Sequence, residues 1–377
     1  MKKRQDVIRQ SKKGDVWLLV SAISLIAIGL LMVYSASIVI SMRQYGHPFH
    51  YLWHQLAYLS LGLIAGAFIY YYVSMEKLAY YSPVFLLFTF VALILVLIPG
   101  LGREVNGSSR WLGIGGLGIQ VSELAKLFTV LYLSGYINRH IDEVRYALSG
   151  FIKPVTVLAV LAILLLLEPD FGSTVVLGST VLGMLFLAGV RWRIFLTAGM
   201  AVFIIFAALA ISSPYRFARL TTFVHPWAHA FGSGYQLTQS LIAFGRGGLT
   251  GVGLGNSIQK WFYLPEAYTD FLFAVLAEEC GLIGIVVVVS LFSILVFRGM
   301  QIGRVAFQKQ AYFNAYVAYG FSLWIGLQAF INMGVNAGLL PTKGLTLPLM
   351  SYGGSSLSVM CMVLAILLRI DIENKQR

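Results

Sequence analysis

Apolar runs long enough to cross a lipid bilayer recur along the whole chain, and they constrain its fold more than any other feature. A helix needs about 20 mainly apolar residues to cross the hydrocarbon core of a membrane. The qualifying runs cover approximately residues 16–40, 53–72, 79–98, 121–138, 154–168, 171–190, 194–212, 269–297, 311–337 and 349–369. We therefore predict an all-α integral membrane protein with about ten transmembrane helices, forming a single polytopic domain over 1–377.

The composition also favours a lipid environment. Hydrophobic residues make up 58% of the chain and charged residues only 11%, whereas soluble domains carry about 25% charged residues. The net charge of +12 is spread over short segments between apolar runs and accompanies no recognition motif, so nucleic acid is not an expected partner. Cys280 and Cys361 lie inside apolar runs without metal-ligand spacing, so they predict no metal site.

The distribution of Lys and Arg predicts the orientation of the chain. Basic residues are abundant in both tails and in every second connection, whereas the short connections on the other side carry only Arg43, Arg103, Arg110 and Lys343. Cytoplasmic connections of membrane proteins carry an excess of basic residues. Both tails, 1–15 and 370–377, are therefore predicted to be cytoplasmic.

One connection, between the seventh and eighth spans, is much longer than the rest. It covers residues 213–268 and lies on the predicted outer side, whereas a usual connection has about 4–6 residues. Long loops are commonly functional or disordered, and the aromatic content of this one argues against disorder. We expect a large extracytoplasmic loop with a functional role.

Polar side chains inside apolar runs form two groups. Glu123 and Lys126 lie three residues apart and share a helix face, and Gln328, Asn332 and Asn336 form a stripe with a spacing of four. A charged side chain at the bilayer centre costs at least about 2.5–3.5 kcal/mol without compensation. The ion pair fits either a structural role or a ligand-binding role, and the stripe fits either hydrogen bonding between helices or the lining of a cavity.

Three carboxylates lie near the outer end of the eighth span. Asp270 follows the loop that ends at Pro265, and Glu278 and Glu279 lie two to three turns further into the span. Spacing alone allows Asp270 to complement the positive end of a helix or to act in a site. At least one of Glu278 and Glu279 is expected to bond a neighbouring helix or loop.

Several segments taken together resemble one family of bacterial membrane proteins. The chain resembles the SEDS family (shape, elongation, division and sporulation), and its division branch in particular, over about residues 15–370. The segments that carry the resemblance are 106–111, 122–126, 168–172, 232–236, 264–271 and 340–356. It implies a SEDS-type helix bundle in the bacterial inner membrane at the division septum.

The resemblance also implies an activity. A SEDS protein of this branch is expected to be a peptidoglycan glycosyltransferase that polymerises lipid II into a growing glycan strand. Its expected partners are the class B penicillin-binding protein FtsI, other divisome proteins and membrane lipids. The family's essential outward-facing aspartate corresponds to Asp270, which is therefore expected to be the catalytic general base.

The resemblance has three departures. Val121 stands where the family usually has proline, Tyr268 stands where it usually has histidine before the Thr-Asp pair, and His225 and His229 replace acidic residues. Because Tyr268 replaces the histidine, an obligatory His–Asp proton relay is not expected.

A lipid diphosphate leaving group needs positive charge around it rather than a general acid. A divalent cation such as Mg²⁺ or Mn²⁺ could share this task, although the sequence shows no dedicated metal cage. As supporting polar residues we expect Glu279, Gln328, Asn332 and Asn336. The expected substrate-binding residues are Arg110, Arg246, Lys260, Lys343, Glu123 and Lys126, with Arg216 and Arg219 as weaker candidates.

Two other functions are compatible with a polytopic bundle that contains intramembrane polar groups. A lipid II flippase or another transporter would use the Glu123–Lys126 pair and the polar stripe along its pathway. A non-catalytic divisome scaffold would use neither of them. The outer position of Asp270 and of the long loop favours polymerisation, because that reaction takes place on the outer side.

Overall fold

Ten long helices form the body of the protein. The computed structural model describes residues 14–105, 108–114, 117–211, 223–341 and 344–376, and the helices of at least 17 residues within these ranges number ten. Each lies at a predicted span, so the predicted all-α membrane fold is confirmed. They are α1 Val16–Tyr45, α2 His50–Tyr72, α3 Met75–Leu97, α4 Val121–Arg139, α6 Leu148–Leu167, α7 Phe171–Leu187, α8 Trp192–Ile211, α10 Leu272–Gln308, α11 Tyr312–Asn336 and α12 Gly354–Gln376.

Most of these helices suit a membrane by themselves. Among the described residues, α1, α2, α3, α6, α10 and α12 are each long and apolar enough to cross a bilayer, and α7 is a shorter apolar helix. In contrast, α4 and α11 carry the buried polar side chains predicted from the sequence. The protein is therefore a multi-pass membrane protein, and α4 and α11 are two of the helices that carry its buried polar side chains.

Shorter elements occupy the connections. Helix α5, Ile141–Tyr146, joins α4 to α6, and a 3₁₀ turn, Pro226–His229, precedes the amphipathic helix α9, Tyr235–Gly247. The described part of the long connection thus contains helical structure. The candidate residues Arg216 and Arg219 lie outside the described residues.

A small antiparallel sheet lies between α3 and α4. Its strands are β1 Arg103–Val105, β2 Ser108–Ile114 and β3 Leu117–Gln120, in the order β1-β2-β3. Trp111 of β2 pairs with Gln120 of β3, directly before α4 begins. Arg110 of β2 donates hydrogen bonds to the turn between α6 and α7, so the sheet covers that turn.

An ion pair joins the beginning of α1 to α10, and a hydrogen bond joins the end of α10 to the end of α12. Asp15 caps α1 and accepts a hydrogen bond of 2.9 Å from Nε of Arg298, and Lys309 donates to the carbonyl oxygen of Asn374. We call this the Asp15 end of the bundle, and the opposite end the Asp270 end. That the Asp15 end faces the cytoplasm stays a prediction from the positive-inside bias.

Helix α12 is longer than the sequence predicts. Residues 370–377 are expected to form a tail, but the helix continues to Gln376. Ion pairs with a spacing of four, Arg369–Glu373 and Lys375–Asp371, stabilise this last part of the helix.

Helices α2 and α12 approach each other closely through small residues. A Cβ atom on Gly62 would lie 2.7 Å from the Cα atom of Ser358, and one on Gly66 would lie 3.2 Å from the carbonyl oxygen of Cys361. The Ser358 hydroxyl donates to the carbonyl oxygen of Tyr58 at 2.7 Å. Small residues four apart allow this backbone packing, which joins membrane helices when the hydrophobic effect cannot.

Candidate functional site

Asp270 lies two residues before the start of α10 and is held through its backbone. Its carbonyl oxygen accepts hydrogen bonds of 2.9 Å from Nδ2 of Asn332 and 2.9 Å from Nδ2 of Asn336. The Oδ1 atom of Asn336 accepts from the backbone N–H of Ala274 at 3.1 Å, one of the donors that a helix start leaves without an intrahelical partner. The Asp270 side chain is half-buried. Two buried side-chain amides of α11 therefore fix the backbone position from which the Asp270 carboxylate extends.

The same α11 stripe holds a second segment beside Asp270. Asn332 Nδ2 donates to the carbonyl oxygen of Leu345 at 2.5 Å, and Gln328 Nε2 donates to that of Thr346 at 3.0 Å. A Cβ atom on Gly344 would lie 3.1 Å from Oδ2 of Asp270. Residues 344–346 therefore form one wall of the Asp270 site. Lys343 adjoins this wall in the sequence but lies outside the described residues.

The Glu123–Lys126 pair lies behind this wall. Lys126 is 1% exposed, and its Nζ atom lies 2.9 Å from Oε1 of Glu123 and 2.8 Å from Oε1 of Gln328. The indole N–H of Trp324 donates to the same Gln328 oxygen at 2.8 Å. These contacts orient Gln328 toward Thr346, so the described geometry favours the structural interpretation of the pair over a ligand-binding one.

Three of the predicted diphosphate-binding cations, Arg110, Arg246 and Lys260, lie within the described residues, and they occupy two separate places. Arg110 donates to the carbonyl oxygens of Glu168 and Pro169 at 3.0 and 2.6 Å, near the Asp270 site. Arg246 instead lies 3.0 Å from Glu278.

Lys260 lies at the second of these places. Its ammonium is 3.1 Å from Oε1 of Glu279, and the residue is only 6% exposed. Burial and the ion pair therefore keep the Lys260 charge inside the protein instead of in an open site.

Sequence reasoning missed two buried carboxylates in the turn between α6 and α7. Glu168 and Asp170 are 1% and 2% exposed. Asp170 Oδ1 accepts from the backbone N–H of Ser173 at 3.1 Å and caps α7. Both carboxylate oxygens of Glu168 and Oδ2 of Asp170 have no hydrogen-bond partner among the described residues. The Glu-Pro-Asp sequence indicates a helix break, and residues in a turn are usually expected to be exposed. The burial of Glu168 and Asp170 was therefore not predicted.

The Glu168 carboxyl titrates far from its ordinary range. Burial, and next the negative charge of Asp170, raise its pKa to about 8, while Arg110 partly opposes the shift. The protonated form is therefore the one that folding favours. Gly172, which follows this turn at the start of α7, packs on Leu345, so the turn and the wall of the Asp270 site are joined through α7.

This raised pKa predicts a pH-dependent stability. An acid whose pKa is raised by folding stabilises the protein fully below its ordinary pKa and loses that contribution as the pH rises through about 8. We expect thermal unfolding in detergent to show wild-type stability falling between about pH 5 and 8 and levelling off above that, by at most roughly 1.4 kcal/mol per pH unit. The Glu168→Gln variant should show a flatter profile, and identical slopes for the two proteins would contradict the assignment.

Tyr268 stands at the position where the resemblance implies a histidine. Its ring centroid lies 4.7 Å from that of Tyr51 and 5.6 Å from that of Tyr352, and its carbonyl oxygen accepts from Tyr352 N–H at 2.9 Å. Burial, and then the neighbouring tyrosines, raise the pKa of the Tyr268 hydroxyl. Tyr268 therefore stays protonated and packs the site instead of accepting a proton.

No group of three or more His, Cys, Asp or Glu side chains converges as metal ligands in the part of the chain that the structure describes. Asp270 and the wall at 344–346 are the chemical features that α11 brings together at the Asp270 end.

Comparison with known proteins identifies the family. The FtsW/RodA/SpoVE family, described as cell cycle protein, matches residues 16–376. A probable peptidoglycan glycosyltransferase FtsW of Legionella pneumophila subsp. pneumophila is 56% identical over 363 residues, covering 96% of this chain and 91% of the relative. One of the same name from Coxiella burnetii is 55% identical, covering 96% and 97%.

Solved structures agree with this assignment. A chain from a study of "structural coordination of polymerization and crosslinking by a peptidoglycan synthase complex" superposes with a TM-score of 0.80 at 26% identity, covering 97% of this chain and 100% of that one. The rod shape determining protein RodA of Thermus thermophilus superposes with a TM-score of 0.68 at 26% identity, covering 96% and 97%. The resemblance seen in the sequence is thereby confirmed, and the chain belongs to the FtsW/RodA/SpoVE family.

Proposed function

We propose that this chain is a peptidoglycan glycosyltransferase that polymerises lipid II during bacterial cell division, with Asp270 as its general base. The observation that carries the proposal is the position of the Asp270 carboxylate, which lies beside Gly344 while two α11 amides hold its backbone. Relatives more than half identical to this chain carry the name probable peptidoglycan glycosyltransferase.

The chemistry requires one base. In the proposed step, Asp270 accepts the proton of the GlcNAc 4-hydroxyl of an incoming lipid II. That oxygen bonds to the anomeric carbon of the growing strand, and the bond from this carbon to undecaprenyl diphosphate breaks with inversion. A base must come within about 3 Å of the hydroxyl in the reactive complex. The diphosphate leaves as an anion, so the leaving group needs positive charge instead of a proton.

We assign the diphosphate to Lys343 and Arg110. Lys343 adjoins Gly344, the residue next to the Asp270 carboxylate. Arg110 binds the turn that leads into α7, which packs on Leu345, and the Arg110 side chain remains partly exposed. Arg246 and Lys260 contribute less in this proposal because Glu278 and Glu279 already pair with them.

Membership of the family supports a proposal for the cellular setting. We propose that the protein lies in the bacterial inner membrane at the septum, with both termini in the cytoplasm, and works with the class B penicillin-binding protein FtsI and other divisome proteins. The similar chain from a peptidoglycan synthase complex supports a partner of this kind. Membrane lipids surround the remaining apolar surface.

The direct test supplies the purified protein with lipid II, with and without FtsI, and reads glycan strands on a gel. We expect a ladder of strands that needs this protein. A flippase would move lipid II between leaflets of vesicles without forming glycan, and a scaffold would do neither. Either of these results, obtained with folded protein in the presence of FtsI, would reject the proposal.

Lys309, which lies at the Asp15 end of the bundle, provides the matched control for Lys343. Lys343→Ala is expected to lower polymerisation about 10²-fold, the scale of removing one group that stabilises developing charge. Lys309 donates to the carbonyl oxygen of Asn374 at the Asp15 end, so Lys309→Ala should leave the rate near that of the wild type. Equal losses in the gel assay would count against a diphosphate site that contains Lys343.

A further inference from the structure

Helix α10 is interrupted at one residue. Gly281 has φ 63° and ψ −159°, far from helical values, and the helix continues on both sides of it. We call residues 272–280 the outer segment and 282–308 the inner segment. A break of this kind leaves the last carbonyls of the outer segment and the first N–H groups of the inner segment without intrahelical partners. Inside a membrane protein these groups need other partners.

The loop at residues 248–260 follows α9, and its first part, residues 248–253, supplies those partners. Two N–H groups of this loop donate to carbonyls of the outer segment, and two of its carbonyls accept from N–H groups of the inner segment. The bonds are Val252 N to Glu278 O at 3.0 Å, Gly253 N to Glu279 O at 3.1 Å, Leu282 N to Gly248 O at 3.0 Å and Ile283 N to Leu249 O at 3.2 Å.

The loop and the break fit together without space for a side chain. A Cβ atom on Gly251 would lie 2.1 Å from the carbonyl oxygen of Glu279, and one on Gly281 would lie 2.4 Å from the backbone nitrogen of Gly251. Both glycines also have positive φ values, 80° and 63°, where side chains are strained. The loop is therefore interlocked with α10 at this level.

Glu278 extends the contact to the following residues of the loop. It is fully buried, at 0% exposure. Its carboxylate accepts from the Ser257 hydroxyl at 2.5 Å, from the backbone N–H of Ile258 at 3.1 Å and from Arg246 at 3.0 Å.

Glu279 makes a second set of bonds. It is 1% exposed and accepts from Lys260 at 3.1 Å and from the Ser35 hydroxyl of α1 at 2.7 Å. Buried charges tolerate loss of a partner poorly. The two carboxylates therefore attach the loop and α1 to the last turn of the outer segment.

We propose that Glu278 and Glu279 are positioning residues for Asp270, acting through the loop at 248–260. The outer segment has Asp270 at one end, where Asn332 and Asn336 hold it, and the two glutamates at the other. Because Gly281 interrupts the helix, the inner segment does not fix the outer one by helical continuity, and the loop does so instead. The expected effect on catalysis rests on the proposed function, whereas the expected effect on the outer segment does not.

The test neutralises one buried pair without leaving an isolated charge. In the Lys260→Met/Glu279→Gln protein we expect hydrogen exchange at amides 272–280 to accelerate at least about tenfold, with α11 and α12 unchanged. With lipid II, kcat should fall about 10²-fold, the scale of a misplacement near 1 Å, while KM changes less than about threefold. Lys260→Arg, which keeps the pair, should retain most of the activity.

Two further variants keep the result decisive. Arg369→Met/Glu373→Gln removes a pair at the Asp15 end and should leave exchange at 272–280 and kcat unchanged. Ser257→Ala removes one bond to Glu278 without changing a charge, and it should accelerate exchange at 272–280 by a smaller factor. It replaces the double variant in the test if the double variant fails to fold.

Three results would overturn the inference: unchanged exchange at 272–280, equal acceleration in every helix, or local acceleration with wild-type kcat. If the wild-type protein makes no glycan at all, the proposed function fails. In that case the exchange data alone decide whether the loop positions the outer segment.

Discussion

Replacing Asp270 by asparagine is expected to abolish glycan polymerisation while the protein still folds. Asparagine has nearly the same size but cannot accept the proton, and loss of a general base costs about 10²–10⁴-fold in rate. The contacts that hold residue 270 involve its backbone carbonyl, which both residues share. The measurement is strand formation from lipid II by the purified variant with FtsI, together with thermal unfolding in detergent.

The control for this variant is Asp142→Asn, which changes an exposed aspartate in α5. It should polymerise lipid II at the wild-type rate. If Asp270→Asn made strands as fast as Asp142→Asn, Asp270 would not be the base. If it lost activity only because it unfolded at a much lower temperature, the carboxylate would have a structural role.

The largest loss of stability is expected from Lys126→Ala. This change leaves the Glu123 carboxylate buried without its cation, and breaking a buried ion pair on one side costs about 3–5 kcal/mol. It also removes the donor that orients Gln328. We expect a clear fall in the unfolding temperature of the purified protein.

An exposed ion pair of the same chemistry provides the comparison. Lys153 and Glu143 are 2.9 Å apart with side chains 56% and 43% exposed, so Lys153→Ala should cost less than about 1 kcal/mol. The neutral double variant Glu123→Gln/Lys126→Met should recover much of the stability lost by Lys126→Ala. Equal effects of Lys126→Ala and Lys153→Ala would show that burial of the first pair does not matter.

The membrane helices were predictable because lipid imposes a length requirement that the sequence displays directly. Their ends were less predictable. The eighth span was expected at 269–297, whereas α10 continues to Gln308. The extra turns are stabilised by contacts beyond the apolar run, such as the pair of Arg298 with Asp15, and hydropathy carries no information about such contacts.

The sheet and α9 were not predicted, for local reasons. The strands have only three to seven residues, and α9 lies within the long connection, for which only a large loop was predicted. The apolar face of α9 buries Leu237 and Ala243, but a helix of 13 residues inside a glycine-rich connection gives a weak periodic signal.

The candidate site was predictable only in part. Asp270 stood out through its sequence context, and the spacing of Gln328, Asn332 and Asn336 indicated one helix face. The partners of Lys260 could not be inferred, because Glu279 is 19 and Ser35 is 225 positions away. A basic residue in an outer loop suggests an exposed ligand, and only the folded chain shows that it neutralises a buried carboxylate.

The close packing of α2 on α12 has a consequence for how the protein is made. The bond from Ser358 to Tyr58 joins residues 300 positions apart, and at about 5–20 residues per second a ribosome needs roughly 15–60 s to synthesise that length. During this interval only lipid or a membrane chaperone can occupy the groove at Gly62 and Gly66. Completion of the bundle therefore awaits its C-terminal helix, and a stalled or truncated nascent chain would expose this seam to quality control.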